Sequence, residues 1–309
     1  MTGVSEGGQP PEPQPVASRV SFVGAGNMGG AMVARLCEQG WSVAVCDTDP
    51  KRQDEARSVG AAVCATPAEA ARALVLGGVL IVAAVTAAQC REVLFGAEGA
   101  AAQLGPSHAV MLCPTIAPDD VEAMADLLDG RGVACIDAPM SGGPARARDG
   151  SMSLMLAGHP EVLAQHHGLL LALSSQRFVI GARPGDGART KLVNNLLAGI
   201  NLVGAAEALA LAERMGLDLA KTLAVIEQSS GQSWIGSDRM RRAVAGDFAP
   251  RAHVTLLEKD TGLAVQAARA VGFDGPLGQR AAQAFAQAHA AGLGELDDAA
   301  LLTFLRRLA

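Results

Sequence analysis

The chain is 309 residues long, half of them hydrophobic and only 18% charged, which suits a well-buried globular protein of two domains rather than one core. A formal net charge of -6 argues against nucleic acid as a partner, and the apolar runs are too short and too broken by glycine for a membrane span. Six cysteines without a CxxC pair read as buried free thiols, and of six histidines without an HExxH only His166 and His167 adjoin, neighbours that point apart on a helix and suit a surface role, so no metal is expected.

The first seventeen residues, MTGVSEGGQPPEPQPVA, are rich in Pro, Gly, Glu and Gln and lack the basic start and apolar centre of a secretion signal. They read as a disordered tail on a cytoplasmic protein. From 19 to 181, β-rich runs alternate with helical ones: RVSFVG, SVAVCD, VLIVAAV, AVMLC, VACIDA and QRFVIG. That alternation predicts an α/β domain over 18–183, a Rossmann-type, doubly wound and mostly parallel sheet with helices on both faces. Beyond 187 no strand pattern remains. The stretch 187–216 has almost no breaker except glycine and would run roughly 45 Å as a helix. Further helical stretches near 219–228, 238–245, 256–271, 277–291 and 297–308 predict an all-α C-terminal domain over 184–309.

RVSFVGAGNMGGAM is a strand, then Gly24-x-Gly26-x-x-Gly29, then a helix start. Glycine suits a tight turn, a close backbone approach to a pyrophosphate and close helix–strand packing, while the helix end offers free amides to phosphate. Gly24, Ala25, Gly26, Asn27, Met28 and Gly29 are therefore candidate cofactor residues. Asp47 ends the second strand about twenty residues on, where an acid bonds ribose hydroxyls and repels a 2′-phosphate. As a plain turn residue it would do neither. NAD is favoured, with NADP admitted by Lys51 and Arg52 nearby.

Ser141, Gly142 and Gly143 bring a hydroxyl and two unhindered amides together, as an anion cradle or as an ordinary loop. Lys191 and Asn195 are four apart in ARTKLVNNLLAG and share a helix face where the chain returns from the sheet. In an interdomain cleft that lysine would exchange a proton with an alcohol; otherwise it snorkels to solvent. Trp234 walls the pocket or anchors a core. Arg239, Arg241 and Arg242 receive substrate or, for at least two of them, form a solvated helix face.

GAGNMGGAM, DAPMSGG, GDGARTKLVNN and EKDTGLA, in this order and spacing, resemble the 3-hydroxyisobutyrate dehydrogenase (β-hydroxyacid dehydrogenase) family over 19–308. The resemblance implies an NAD(P)-binding domain followed by a helical substrate and dimerisation domain, in a homodimer or homotetramer acting on a small hydroxy acid. It implies Lys191 as the proton donor or acceptor, Asn195 as its substrate-orienting neighbour, and residues 141–143 as carboxylate ligands. Lys259 would lie near nicotinamide and substrate, and Thr115 beside the nicotinamide ribose. Thr86 takes the nicotinamide-side position where the family has asparagine. AAQCREVLFG, SGQSWIGSDRM, GLGELDDAAL and the basic Arg146 after SGG are similar to the L-threonate dehydrogenase branch. An imine or semialdehyde reductase of the same architecture, or a non-catalytic nucleotide sensor, are the alternatives. Lys191 counts against an imine reductase, and the intact Lys191, Asn195 and SGG loop count against a sensor.

Overall fold

The computed structural model describes residues 19–307, and the N-terminal tail lies outside them. The order is β1 (Arg19–Val23), α1 (Asn27–Glu38), β2 (Ser42–Cys46), α2 (Pro50–Ser58), β3 (Ala62–Val63), α3 (Pro67–Arg72), β4 (Val79–Val82), α4 (Ala87–Phe95), β5 (Ala109–Leu112) and α5 (Pro118–Asp129). It continues with β6 (Ala134–Asp137), β7 (Met140–Ser141), α6 (Gly143–Asp149), β8 (Ser153–Ala157), α7 (Pro160–Gln165), α8 (His167–Leu173) and β9 (Gln176–Gly181). Then come α9 (Asp186–Arg214), α10 (Leu219–Glu227), α11 (Trp234–Val244), α12 (Val254–Ala270), α13 (Pro276–Ala288) and α14 (Leu301–Arg306).

The strands form one sheet in the order β3-β2-β1-β4-β5-β6-β8-β7, with β9 beside β8. Pairing is parallel except where β6 and β7 meet β8. Side chains of a strand alternate between faces. Phe22, Ile81 and Met111 accordingly enter one core, and Val23, Leu80, Val82 and Leu112 the other. Two buried faces explain why VLIV and AVML are apolar throughout. β8, absent from the strands expected from sequence, is buried the same way, but its SLMLA lacks the β-branched residues that mark a strand.

α9 belongs to both halves. Its first turns pack on β6, β8 and β9, and its remainder is the centre of the helical layer, touching α10, α11, α12, α13 and α14. It is long and apolar enough to cross a membrane by length and composition, yet Leu202, Ala206, Leu209 and Ala210 sit in the core of that layer. On the side away from Lys191 it carries exposed Val193 and Leu211, while exposed Leu197 borders the cleft itself. α11 starts at Trp234, four residues before the expected 238, because the Ser233 hydroxyl accepts from the Gly236 amide and caps it. His166 is a correction to the expected surface pair. The chain bends between α7 and α8 at this residue, which buries its ring and lowers its pKa by desolvation.

Candidate active site

Between β1 and β4 the strand order reverses, and the loops after these strands diverge to leave a crevice. The glycine turn sits there. Gly24 has a φ of 97°, and a Cβ on it would lie 2.6 Å from the Ala83 carbonyl oxygen. A Cβ on Gly29 would lie 2.1 Å from the Gly24 carbonyl oxygen, so α1 can pack this close only on glycine. Gly26 differs: a Cβ there meets nothing within 4 Å and would project into the cleft. No side chain caps α1, so its first amides are free for a ligand. This cradle fits a dinucleotide pyrophosphate.

The cleft has a volume of about 600 Å³. Its walls bring together Gly26, Asn27, Met28 and Gly29 of the turn, Thr115 after β5, Ser141, Gly142 and Gly143, and Lys191, Asn195, Trp234 and Lys259 of the helical half. A second lobe continues past Ala25, Gly26, Asn27, Arg52 and Arg251. Asp47 lines neither lobe. Its Oδ2 accepts from the Ala25 amide at 2.6 Å and its Oδ1 from the Asp49 amide at 2.9 Å, so the carboxylate holds the glycine turn in shape. Each oxygen retains a lone pair for a ribose hydroxyl. Arg52 donates to Asn27 Oδ1 at 3.0 Å across the second lobe. Thr86 is also absent from the walls. Its hydroxyl caps α4 by accepting from the Gln89 amide, and Val85 lines the cleft instead.

Lys191 is only 7% exposed, and no protein acceptor among the described residues takes a hydrogen bond from it. Burial, aided by the neighbouring charge of Lys259 and opposed by Asp260, lowers its pKa to about 8. Asn195 lies one turn on and donates to Asp260 Oδ2 at 2.6 Å, while Asn194 donates to Asn195 Oδ1 at 3.0 Å. Lys259 donates to Asp260 Oδ1 at 2.6 Å and to the Thr115 carbonyl at 2.5 Å. Asp260, unassigned from sequence except as a neighbour of Lys259, thus fixes both polar residues. Its signal was the i, i+1 pair in EKD, silent about a partner 65 residues away.

Asp137, at the end of β6, is a second residue missed. It accepts from the Gly185 and Ala188 amides at 2.8 and 3.0 Å, tying the start of α9 to the sheet one turn before Lys191. Burial raises its carboxyl to about 6 against those amides.

The arginines of α11 correct the expectation of a solvated face. Arg241 is exposed beside Glu227, but Arg239 and Arg242 are each 13% exposed. Arg239 Nε donates to Asp298 Oδ1 at 2.7 Å, and Arg242 Nη1 stands 2.8 Å from Asp297 Oδ1. Burial pushes the Asp298 carboxyl up to about 7 despite Arg239. Burial also acts to raise Asp297, but Arg242 and the Arg251 and Ala299 amides outweigh it and hold that carboxyl down at about 2. Arg239 and Asp298 line the cleft with Trp234, whose ring lies 4.8 Å from the Arg146 guanidinium carbon. Among the described residues no group of three His, Cys, Asp or Glu side chains is arranged to hold a metal ion.

Comparison with known proteins matches residues 19–181 to the NAD-binding domain of 6-phosphogluconate dehydrogenase, and residues 185–305 to the NAD-binding family model of NADP-dependent 3-hydroxyisobutyrate dehydrogenase. The L-threonate dehydrogenase of Cupriavidus necator is 36% identical, over 93% of this chain and 96% of its own length. The 3-hydroxyisobutyrate dehydrogenase of Pseudomonas aeruginosa is 35% identical, over 86% of this chain and 90% of its own. A crystal structure of 3-hydroxyisobutyrate dehydrogenase from Salmonella typhimurium superposes with a TM-score of 0.85 at 35% identity, covering 93% of this chain and 99% of that one. With its glycine cradle and helical half, the chain belongs to the 3-hydroxyisobutyrate dehydrogenase family of NAD(P)-dependent hydroxyacid dehydrogenases.

Proposed function

We propose that the protein oxidises a four-carbon sugar acid such as threonate at its 2-hydroxyl, with NAD preferred over NADP and Lys191 as the proton-transfer group. One observation carries this reading: an amine buried without a protein partner lines the same cleft as the SGG loop and the Gly26 cradle. Ser141 and the amides of Gly142 and Gly143 hold the substrate carboxylate, with Lys259 adding charge. Asn195, fixed by Asp260, orients the hydroxyl, and neutral Lys191 takes its proton. A nicotinamide held by the Gly26 turn would supply the hydride acceptor for the carbon that carries that hydroxyl. In the reverse direction protonated Lys191 returns the proton to the new alkoxide. Ala25, Gly26, Asn27, Met28 and Gly29 cradle the dinucleotide, Asp47 faces its ribose, and Thr115 and Val85 flank the nicotinamide end. Likeness to threonate dehydrogenases supports the four-carbon substrate.

The exposed Val193 and Leu211, on one side of α9, support a homodimer built on this helix. Six free cysteines, buried or half-buried, suit a cytoplasmic location. A side-by-side assay of threonate, erythronate and 3-hydroxyisobutyrate with NAD and NADP, followed by reduced-cofactor absorbance, tests the substrate and cofactor. Threonate or its stereoisomer should have the highest kcat/KM. A clear win for 3-hydroxyisobutyrate overturns the sugar-acid reading and leaves family membership intact.

A further inference from the structure

The charges along the cleft are distributed unequally. Beside the SGG loop, Lys259 is paired with Asp260, Lys191 has no protein partner among the described residues, and Ser141, Gly142 and Gly143 bring a hydroxyl and two amides, so this end can receive one acid group. Arg251 lines the junction with the second lobe and is paired with Asp247 at 2.7 Å. At the end formed by α11 the balance is different. Arg239 is gripped on Nε by Asp298 and on Nη1 by Asp238, and Arg242 stands among Asp238, Asp297 and Asp298. Two arginines here face three aspartates.

Such a guanidinium is a poor receptor for an anion. The parallel N–H pairs that take a carboxylate or phosphate in a fork are partly used by Asp298 and Asp238. A second oxyanion would also meet the Asp238 carboxylate, and an Asp298 carboxyl whose charged form burial already disfavours, across a short distance in a poorly solvated wall. What remains is Nη2, for which no protein acceptor exists among the described residues, on a side chain that cannot swing away from its two partners. A fixed, single donor edge suits a neutral oxygen.

We propose that Arg239, held by Asp238 and Asp298, is the specificity-determining residue that donates from Nη2 to a hydroxyl oxygen at the far end of the substrate. The cleft therefore takes an acid with one carboxylate and an uncharged, hydroxylated tail, and rejects a tail that ends in a second carboxylate or a phosphate. This inference rests on the hydroxyacid oxidation proposed above and narrows it.

The experiment is a kcat/KM panel with NAD on the intact full-length protein, using threonate, 3-hydroxyisobutyrate, tartrate and 4-phosphoerythronate. In the wild-type protein, tartrate and 4-phosphoerythronate should fall below threonate by roughly 100-fold or more. Arg239→Met should lower the ratio of threonate to 3-hydroxyisobutyrate by roughly tenfold or more, the scale of one charged hydrogen bond. Because that variant leaves buried Asp298 without its partner, Asp238→Asn is the second arm. Asp238 is 44% exposed, so its loss should spare the fold, free Nη1 and raise the ratio of tartrate to threonate by roughly fivefold or more. Wild-type preference for tartrate or the phosphate ester overturns the inference while hydroxyacid oxidation stands. So does an Asp238→Asn protein whose tartrate ratio is unchanged, or an Arg239→Met protein that loses both substrates equally. A protein that oxidises none of the panel refutes the underlying reading instead, and the inference falls with it.

Discussion

Replacing Lys191 with methionine separates what this residue does for chemistry from what it does to stability. Its amine is 7% exposed, and burial brings its pKa from 10.5 to about 8. At pH 8 such an amine is about half neutral, whereas at its ordinary pKa about 0.3% would be, a gain of roughly 150-fold in the form that can accept a proton. The same fall corresponds to about 3 kcal/mol against the charged amine in the folded state. The sign follows from linkage: the unfolded chain binds the proton more tightly, so this penalty is fully present below about pH 8 and disappears as pH rises toward 10.5. Lys191→Met should therefore lower kcat by roughly 100-fold or more while raising the thermal midpoint at pH 7. In the wild-type protein, oxidation should rise with pH through about 8, and reduction of the oxo acid should fall through the same range. Steady-state rates from pH 6.5 to 10, NADH binding by fluorescence and thermal melts measure all three. Near-native turnover would refute the proton-transfer role, and a variant less stable than wild type at pH 7 would refute the buried-charge argument.

Three other expectations can be checked with simple variants. Asp47→Ala should narrow the kcat/KM preference for NAD over NADP and, because the carboxylate also holds the Ala25 amide, weaken NADH binding; an unchanged cofactor ratio contradicts the ribose role. Burial holds the Asp137 carboxyl up at about 6, so the native state binds its proton more tightly than the unfolded chain and this group's contribution to stability is lost as pH rises from about 4 to 6. Asp137→Asn should flatten denaturant midpoints across that window, and a curve parallel to wild type would count against it. Val193→Glu, on the exposed side of α9, should convert the proposed dimer to monomers by light scattering at micromolar concentration, and a wild-type protein already monomeric would refute the dimer.

The glycine turn, the sheet and the lysine helix were readable from sequence because each rests on local chemistry. Only glycine fits where Gly29 meets the Gly24 carbonyl, and VLIV and AVML can be wholly apolar only inside a sheet covered on both faces. The partners of the charged residues were not readable, because an ion pair leaves no periodic trace. Arg239 and Arg242 have the spacing of an ordinary exposed face until α11 meets Asp297 and Asp298, 59 residues after Arg239. His166 departs from the surface for a related reason, since the helix that would splay the two rings is interrupted at His166 itself. Thr86 shows the converse: its hydroxyl caps α4 by accepting from the Gln89 amide, a local role that the TAAQ sequence itself encodes.

Asp260 explains how two lysines coexist at one end of the cleft. Two ammonium groups in a poorly solvated wall repel and would each lose their proton readily. A carboxylate that pairs with Lys259 at 2.6 Å, while its other oxygen accepts from Asn195, neutralises one cation and leaves Lys191 outside the pair. Lys259 is then pinned between Asp260 and the Thr115 carbonyl, and Lys191 is left unpaired. The contrast between them depends on an asymmetry in distance: Asp260 bonds one lysine and only influences the other through space. It also makes α9 and α12 a single functional unit, because Asn195 on one helix and Lys259 on the other share the same carboxyl group. A shift of either helix would break one of the two bonds that Asp260 makes.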